Sequence, residues 1–403
     1  MNLPVRCLNL TSIKRAEIEM ERIGVDPAGI RIMAPKQLHY NLKIEGLKPS
    51  EANILKQEML SIGAEAAVSK GAASCAVAST DALLSGTLKQ FSIITDKLKT
   101  QALRLPAVSE AIAAVIANIG LREFSIPAAD TALKAGPKPL IMGILNVTPD
   151  SFSDGGRFLG RDAALQRALE MRDEGADWID VGGESTRPGA APVELNEELK
   201  RVMPVVEALS GHGLVVSIDT TKAEVARQAL AAGAKIVNDV SALSMDRAMA
   251  AVCAASGAAV VLMHMEGMPR TMRQDKTHAD IVGDVCNCLD KRIEYAVSSG
   301  IQRGSIIVDP GIGFGKSMED DLMLVKNLSE LKSLGRPMLL GPSRKSFVGK
   351  AIGAGIEQRL FATISIVSLG VANGACILRV HDVKEARQAA DMAWSIVSAG
   401  EGV

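Results

Sequence analysis

The sequence predicts an α/β protein in which a (β/α)8 TIM barrel over residues 139–403 follows a smaller α/β or α+β domain over residues 1–135. Eight short apolar runs alternate with helical segments after residue 139, and this part of the chain has the length of about 250 residues that is typical of such a barrel. The stretch KAGPKP at residues 134–139 contains one glycine and two prolines, which favour an extended connection between domains. A doubly wound open sheet is the alternative, but the helix predicted after the eighth strand favours closure.

Each predicted barrel strand is a short, nearly continuous apolar run bounded by polar residues or glycine, as expected for a parallel strand that is buried on both faces. In chain order the runs are LIMGILNV (140–147), WIDVGG (178–183), VVSIDT (215–220), KIVNDV (235–240), AVVLMH (259–264), SIIVDPG (305–311), PMLLGPS (337–343) and CILRVH (376–381).

Helix signals occupy the segments between these strands. The run TKAE at 221–224 matches a Thr-x-x-Glu capping box, and Asp162 is predicted to cap another helix. In the N-terminal domain, RCLNL (6–10), IRIMAPKQLHYNLKIEGL (30–47) and CAVAST (75–80) are predicted as strands that alternate with helices in a split βαβ arrangement. That domain carries no motif associated with chemistry.

Composition narrows the class of protein. Hydrophobic residues make up 47% of the 403 residues and the formal net charge is -1, so neither nucleic acid nor an anionic membrane is an expected partner. The six cysteines are scattered, which is typical of a reducing compartment. Neither a signal-peptide pattern nor an apolar run of about 18 residues is found, so we expect a cytoplasmic protein.

Polar residues lie at or just beyond the end of every predicted barrel strand. The carboxyl ends of the strands form the active site of TIM barrels, and a buried carboxylate is costly unless a ligand or a neighbour donates hydrogen bonds to it. We therefore expect a functional site there. The strand ends supply Asn146, Asp180, Asp219, Asn238 with Asp239, His264, Asp309, Ser343 with Arg344 and Lys345, and Arg379 with His381.

The residue types at these ends indicate a ligand. Asp219, Asn238 and Asp309 suit a flat polar heterocycle with an amino-amidine edge, because a carboxylate accepts two N–H bonds and an amide both donates and accepts. Lys345 can donate to a ring carbonyl or ring nitrogen.

Two stretches are candidates for binding an anion. Arg379 and His381 are two residues apart, so they share one face of a strand and could hold a phosphate or pyrophosphate. The glycine-rich run DPGIGFGKS at 309–317 matches neither the Walker pattern nor the dinucleotide pattern, since its glycines have the wrong spacing. We expect Lys316 and Ser317 to begin the next helix.

Seven motifs occur together between about residues 139 and 398: GILNVTPDSFSDGG, DVGGESTRPGA, SIDTTK, NDVSAL, DPGIGFGK, SRKSFVG and RVHDV. In this combination the sequence resembles the dihydropteroate synthase family of folate biosynthesis, the target of sulfonamides. The resemblance implies a TIM barrel, condensation of 7,8-dihydropterin-6-ylmethyl diphosphate with p-aminobenzoate, release of pyrophosphate, a Mg²⁺ cofactor and a homodimer.

The resemblance also implies roles for individual residues. The pterin would be bound by Asp219, Asn238, Asp309 and Lys345, with Val240 and Met263 at its faces. Pyrophosphate would be held by Arg379, Val380 and His381, and Mg²⁺ would be ligated by Asn146. The arylamine pocket would be shaped by Gly313, Phe314, Lys345 and Ser346. Loops carrying Asp154, Thr186, Arg187 and Pro188 would close over the site.

Two other functions fit part of the sequence. A pterin-binding methyltransferase that acts with a corrinoid would use a similar barrel, but it has no diphosphate for Arg379 and His381 to hold. A non-catalytic pterin-binding protein would be expected to lack those anion-site residues, which are present here.

Overall fold

The computed structural model describes residues 3–136, 138–147, 157–184, 192–267 and 278–400. The chain forms two compact units, one of residues 1–120 with 398–403 and the other of residues 121–397. The sequence placed a domain boundary at 134–139, whereas the compact units divide between Gly120 and Leu121.

In its described residues, the N-terminal unit contains three strands and five α-helices. The unit has the order α1 (Ile13–Ile23), α2 (Pro27–Met33), β1 (His39–Leu47), α3 (Pro49–Ser61), β2 (Glu65–Val68), β3 (Thr80–Thr87), α4 (Leu88–Leu98) and α5 (Leu105–Ile119). Strand β3 lies between β1 and β2 and is antiparallel to both. Since β1 and β2 are therefore parallel and joined through α3, the split βαβ prediction is confirmed.

Three of the strands predicted in this unit are wrong in whole or in part. The start of the run predicted at 30–47 lies in α2, where Pro27 occupies the first turn and the Asp26 carboxylate accepts from the Ala28 backbone N–H at 2.8 Å. Proline in the first turn and an aspartate N-cap both favour a helix, and they outweigh the β-propensity of the isoleucines. The run at 6–10 forms no strand, and of the run at 75–80 only Thr80 lies in a strand, as the first residue of β3.

The second unit begins with a hairpin and continues as eight strand–helix repeats. The hairpin consists of β4 (Phe124–Ala128) and β5 (Thr131–Ala135). The barrel strands are β6 (Leu140–Asn146), β7 (Trp178–Gly182), β8 (Val215–Asp219), β9 (Ile236–Asp239), β10 (Ala259–Met263), β11 (Ile306–Asp309), β12 (Leu339–Leu340) and β13 (Ile377–Val380). The helices are α6 (Arg157–Asp173), α7 (Leu195–Gly211), α8 (Ala223–Ala231), α9 (Met249–Ser256), α10 (Ile281–Ser298), α11 (Met318–Lys326), α12 (Ser346–Ile352), α13 (Leu360–Ala372) and α14 (Val383–Ser398).

The eight strands close into a barrel, and all eight predicted strand positions are confirmed. The parallel sheet has the order β11-β10-β9-β8-β7-β6-β13-β12. A parallel bridge between Val308 and Met338 joins the two ends, and the Val308 N–H donates to the Pro337 carbonyl at 3.0 Å. The open-sheet alternative is excluded by this closing contact.

The hairpin seals the amino end of the barrel. Ile126, Ala128 and Leu133 belong to one buried apolar cluster with residues from the beginning of the barrel strands. Burial of each large apolar side chain contributes about 1.5–3 kcal/mol, so this cover stabilises the barrel substantially. The barrel residues of the cluster are Met142, Trp178, Ile236, Ala259, Val261, Ile307, Leu339 and Ile377.

Two predicted helix caps are wrong. The residue before α8 is Lys222, whose N–H donates to the hydroxyl of Thr220 at 3.2 Å, so TKAE is not the capping box. Asp162 lies inside α6 rather than before it. In the part of the chain that the structure describes, none of the helices is long and apolar enough to cross a membrane.

Candidate active site

The carboxyl ends of neighbouring strands bring the predicted heterocycle-binding residues together. Asp219 ends β8 in register with Asn238 on β9, and Asp309 ends β11 in register with Met263 on β10. The Asp219, Asn238 and Asp309 side chains are all buried. Neighbouring strand ends thus place carboxylate and amide groups at the carboxyl end of the barrel.

A buried network connects four strands across the barrel interior. The Asp180 carboxylate accepts from Asn238 Nδ2 at 3.0 Å and from Arg379 Nε at 2.6 Å. A second guanidinium nitrogen of Arg379 donates to Asp219 at 2.6 Å. Because Asp180 takes the amide N–H of Asn238, the network leaves the carbonyl oxygen of that amide to accept from a ligand.

Two oxygens of this network accept no hydrogen bond from the described part of the chain. They are Oδ1 of Asp180 and Oδ1 of Asp219, and both are buried. Buried acceptors are normally satisfied, so unpaired carboxylate oxygens near the carboxyl end of the barrel indicate a ligand that donates N–H groups.

The guanidinium of Arg379 is already paired with buried carboxylates, unlike that of an arginine whose charge is available to bind an anion. Burial alone would lower the pKa of its guanidinium, but the carboxylates of Asp180 and Asp219 outweigh burial and raise that pKa. Burial also raises the pKa of Asp219, against the attraction of Arg379. Since two carboxylates balance the guanidinium charge, the role of Arg379 in holding pyrophosphate stays a prediction.

Asp309 is fixed by the glycine-rich loop that follows β11. Its Oδ1 accepts from the Gly311 N–H at 2.7 Å, which leaves its second oxygen to the pocket. Burial raises the pKa of the Asp309 carboxyl.

Lys345 faces an aromatic ring of the same loop. Its Nζ lies 3.9 Å from the centroid of the Phe314 ring, a cation–π contact. Burial, together with the nearby charge of Arg379, lowers the pKa of Lys345 to about 8. Phe314 in turn packs in one apolar cluster with Val240 and Met263, so the predicted apolar faces are adjacent.

The predicted anion site at the end of β13 is built on Ser343. The hydroxyl of Ser343 accepts from the His381 N–H at 3.2 Å and lies 3.0 Å from Nδ1 of the His381 ring. Val380, which lies between Arg379 and His381 in the sequence, has its side chain buried in the apolar core. Ser346, the first residue of α12, is exposed.

Asn146 is the candidate ligand for a metal ion. It is exposed at the end of β6, and its Oδ1 lies 3.9 Å from where a Cβ on Gly182 would be, while Asp219 Oδ2 lies 3.7 Å from the same point. In the described ranges, His, Cys, Asp and Glu side chains form no cluster of three that could hold a metal. One amide oxygen fits a Mg²⁺ ion that takes its other ligands from water and substrate phosphate, as is usual for this ion.

Four predicted site residues lie outside the described residues: Asp154, Thr186, Arg187 and Pro188. The structure adds residues to which sequence reasoning assigned no role. Asp180 had the signal of a carboxylate inside an apolar strand. Lys316 was assigned to the start of a helix, but Ser317 is the N-cap of α11 and the Lys316 side chain is buried.

Comparison with known proteins decides the family. Residues 142–381 match the model of the pterin binding enzyme family. The chain is 44% identical over 274 residues to the dihydropteroate synthase of Synechocystis, which covers 67% of this chain and 95% of that protein. The chain belongs to the dihydropteroate synthase family.

A solved structure of the family agrees with the barrel. The dihydropteroate synthase of Yersinia pestis, crystallised with a sulfonamide drug, has a TM-score of 0.64 and 42% identity. The match covers 68% of this chain and 100% of that chain. Family membership makes this protein a transferase of folate biosynthesis.

Another relative of the family also matches the N-terminal unit. A probable bifunctional folylpolyglutamate synthase/dihydropteroate synthase of Halobacterium salinarum is 40% identical over 377 residues, 94% of this chain. The match covers 45% of that longer protein. The N-terminal unit therefore lies outside the barrel common to the family, although it is shared with this relative.

Proposed function

We propose that the carboxyl end of the barrel condenses 7,8-dihydropterin-6-ylmethyl diphosphate with p-aminobenzoate, giving dihydropteroate and pyrophosphate. The observation that carries this proposal is the pairing of buried acceptors on Asp219 and Asp309 with the apolar cluster of Val240, Met263 and Phe314. A flat heterocycle with N–H groups at its edge needs both features, apolar faces and acceptors in one plane.

The pterin would be recognised by its hydrogen-bond donors. The free oxygens of Asp219 and Asp309 would accept from the amino-amidine edge, and Asn238 would accept through the oxygen that Asp180 leaves open. Lys345 would donate to a ring acceptor. Each charge-assisted bond of this kind contributes about 1.5–3 kcal/mol.

The reaction breaks the C–O bond between the pterin methylene and the diphosphate, and forms a C–N bond to the arylamine, which then loses a proton. Positive charge develops on the methylene as the C–O bond breaks, and Asp309 would stabilise that charge electrostatically. The arylamine attacks as a neutral nucleophile, so this chain need not supply a strong base.

The leaving diphosphate would be held at the end of β13. His381, oriented by the Ser343 hydroxyl, would donate to a phosphate oxygen, with the Val380 backbone beside it. We propose that Arg379 shares this role while its charge is partly balanced by Asp180 and Asp219. Asn146 would ligate Mg²⁺, which when bound neutralises charge on the diphosphate oxygens.

The arylamine would lie against the wall formed by Gly313 and Phe314, with Lys345 and Ser346 beside it. We propose that Asp154, Thr186, Arg187 and Pro188 complete the site from two loops, because exclusion of water protects a cationic methylene from hydrolysis.

We also propose that the chain forms a homodimer. The barrel would be catalytic without the N-terminal unit. Five large apolar side chains on α13 and α14 are exposed, which favours association. They are Phe361, Leu369, Met392, Ile396 and Val397. A light-scattering mass of one chain at assay concentration would contradict the dimer.

The reaction is tested by mixing the purified protein with the pterin diphosphate, p-aminobenzoate and Mg²⁺. We expect dihydropteroate by mass spectrometry and pyrophosphate release that requires the arylamine. Tight pterin binding without pyrophosphate release would instead identify a non-catalytic pterin-binding protein.

A further inference from the structure

The lysine of the glycine-rich loop is buried where no substrate role is assigned to it. Lys316 lies between β11 and α11, and its side chain is only 1% exposed. Its Nζ donates to the carbonyl oxygens of Gly311 at 2.7 Å, His264 at 3.1 Å and Phe314 at 3.4 Å. The ammonium thus joins both ends of the loop to the end of β10.

An anionic group holds the same loop from the other side. Asp321, in the first turn of α11, accepts from the Gly313 N–H at 2.7 Å and is also 1% exposed. The start of α11 is fixed separately, since the Ser317 hydroxyl donates to Asp320 at 2.7 Å in a capping box. Lys316 and Asp321 are therefore not needed to cap the helix, and their side chains bind the loop instead.

The loop so held is in contact with Lys345. A Cβ on Gly313 would lie 2.9 Å from Cδ of Lys345, so the backbone passes directly beside that side chain. The next residue, Phe314, presents its ring to the Lys345 ammonium. A small displacement of this segment would therefore move both the aromatic wall and the surroundings of Lys345.

A purely structural role explains the buried charges poorly. Burying an ammonium costs several kcal/mol, and apolar residues of similar volume often replace a buried ion pair with no loss of stability. Three carbonyl oxygens that converge on one point, by contrast, need hydrogen-bond donors there, and the ammonium supplies all three. Burial lowers the pKa of Lys316 to about 8 and raises that of Asp321 to about 6, so both charges are retained at neutral pH at the expense of stability.

We propose that Lys316 and Asp321 are positioning residues that hold Gly313 and Phe314 against Lys345 and thereby set the affinity for the arylamine. The inference rests on the proposed function. The pterin side should be affected less, because the backbone of Asp309 is held by the parallel ladder to β10 and only its Oδ1 depends on the loop, through the Gly311 N–H. Phe314 has no strand to support it and depends on the loop.

The test compares Lys316→Met with Lys326→Met, the same substitution at an exposed position of α11. In Lys316→Met we expect the KM for p-aminobenzoate to rise about tenfold or more, because small misplacements of a positioned group have large kinetic effects. The Kd for the pterin diphosphate, measured by calorimetry, should change far less. Lys326→Met should leave both constants unchanged.

Two further variants separate positioning from folding. Asp321→Ala releases Gly313 while the Lys316 side chain stays in place, and it should raise the same KM, so it decides the matter if Lys316→Met does not fold. Lys316→Gln keeps neutral N–H donors and should recover part of the affinity. An unchanged KM in the folded variants, with turnover falling only in proportion to the folded fraction, would overturn the proposal.

The outcome for the wild-type chain distinguishes this inference from the proposed function. If wild-type protein releases no pyrophosphate in the presence of the arylamine, the proposed function fails. If the wild type is active and the loop variants keep a normal arylamine KM, only the inference fails.

Discussion

The amino and carboxyl ends of the barrel are built from the same strands, but one end is an apolar core and the other is the candidate site. On β9, β11 and β13, the residue pairs Ile236 and Asn238, Ile307 and Asp309, and Ile377 and Arg379 are each two positions apart. Residues two apart share one face of a strand, so each strand changes from apolar to polar within the barrel interior. The apolar layer packs under the β4–β5 hairpin, and the polar layer forms the candidate site.

This difference indicates that each of these strands contributes to stability through its apolar residue and to binding or catalysis through its polar residue. A substitution in the apolar layer should lower the free energy of unfolding and leave binding intact. A substitution in the polar layer should change binding or turnover by a much larger factor. Substitutions in the two layers can therefore break or confirm this division.

Asp309→Ala should weaken binding of the pterin diphosphate about 100-fold or more, since a carboxylate that accepts two hydrogen bonds contributes about 3 kcal/mol. Calorimetric titration measures this effect. Retention of wild-type affinity would remove Asp309 from the pterin site.

Arg379→Ala should reduce turnover about 100-fold through weaker stabilisation of the leaving diphosphate. It should also lower the free energy of unfolding by about 3 kcal/mol, because Asp180 and Asp219 lose their buried counter-ion. Denaturant unfolding and steady-state rates separate the two effects. Near-normal turnover in folded protein would show that Arg379 serves only the buried carboxylates.

Ile307→Ala is the matched control on β11, two residues before Asp309. Removal of this fully buried side chain should lower the free energy of unfolding by about 2–5 kcal/mol. The pterin Kd of the folded protein should stay at the wild-type value. A large loss of affinity here would contradict the division between the layers.

The pterin affinity should fall as the pH rises through about 8. The pKa of Lys345 is lowered to about 8, so its ammonium, the form that donates to the ligand, is lost above that pH. Below neutrality the affinity should fall as well, because the raised pKa values of Asp219 and Asp309 favour their protonated forms. Lys345→Met should abolish the alkaline change, and persistence of that change would assign it to another group.

A chain that begins at Leu121 should keep turnover comparable to that of the full chain, because relatives of barrel length share this fold. A chain that begins at Pro139 lacks the β4–β5 hairpin and should have a lower Tm, since the apolar layer is uncovered. Equal Tm values for the two shortened chains would show that the hairpin contributes nothing to stability.

The barrel could be predicted from sequence because its strands are continuous apolar runs that end in polar residues. Asp219, Asn238 and Asp309 could be predicted as site residues because they are polar residues within those apolar runs. The β4–β5 hairpin could not be assigned to the barrel, because its apolar residues show no pattern that indicates which surface they pack against. Residues of helix α2 were predicted as a strand, because the β-branched isoleucines in the sequence indicate a strand more obviously than Asp26 and Pro27 indicate a helix cap.

The supporting residues of the site were harder to predict. Asp180 was visible as a carboxylate in a strand, but its contacts with Asn238 and Arg379 join residues 58 and 199 positions away. Lys316 followed a glycine and preceded a serine N-cap, so an exposed helix start was the simplest reading. Only the folded loop shows three carbonyl oxygens around its ammonium.

The most direct test of the account is a side-by-side measurement of arylamine-dependent pyrophosphate release by the wild type, Ile307→Ala and Asp309→Ala at a temperature where all three are folded. The account predicts comparable release by the wild type and Ile307→Ala, and loss of release by Asp309→Ala. Release by Asp309→Ala at the wild-type rate, or none by the wild type, would contradict it.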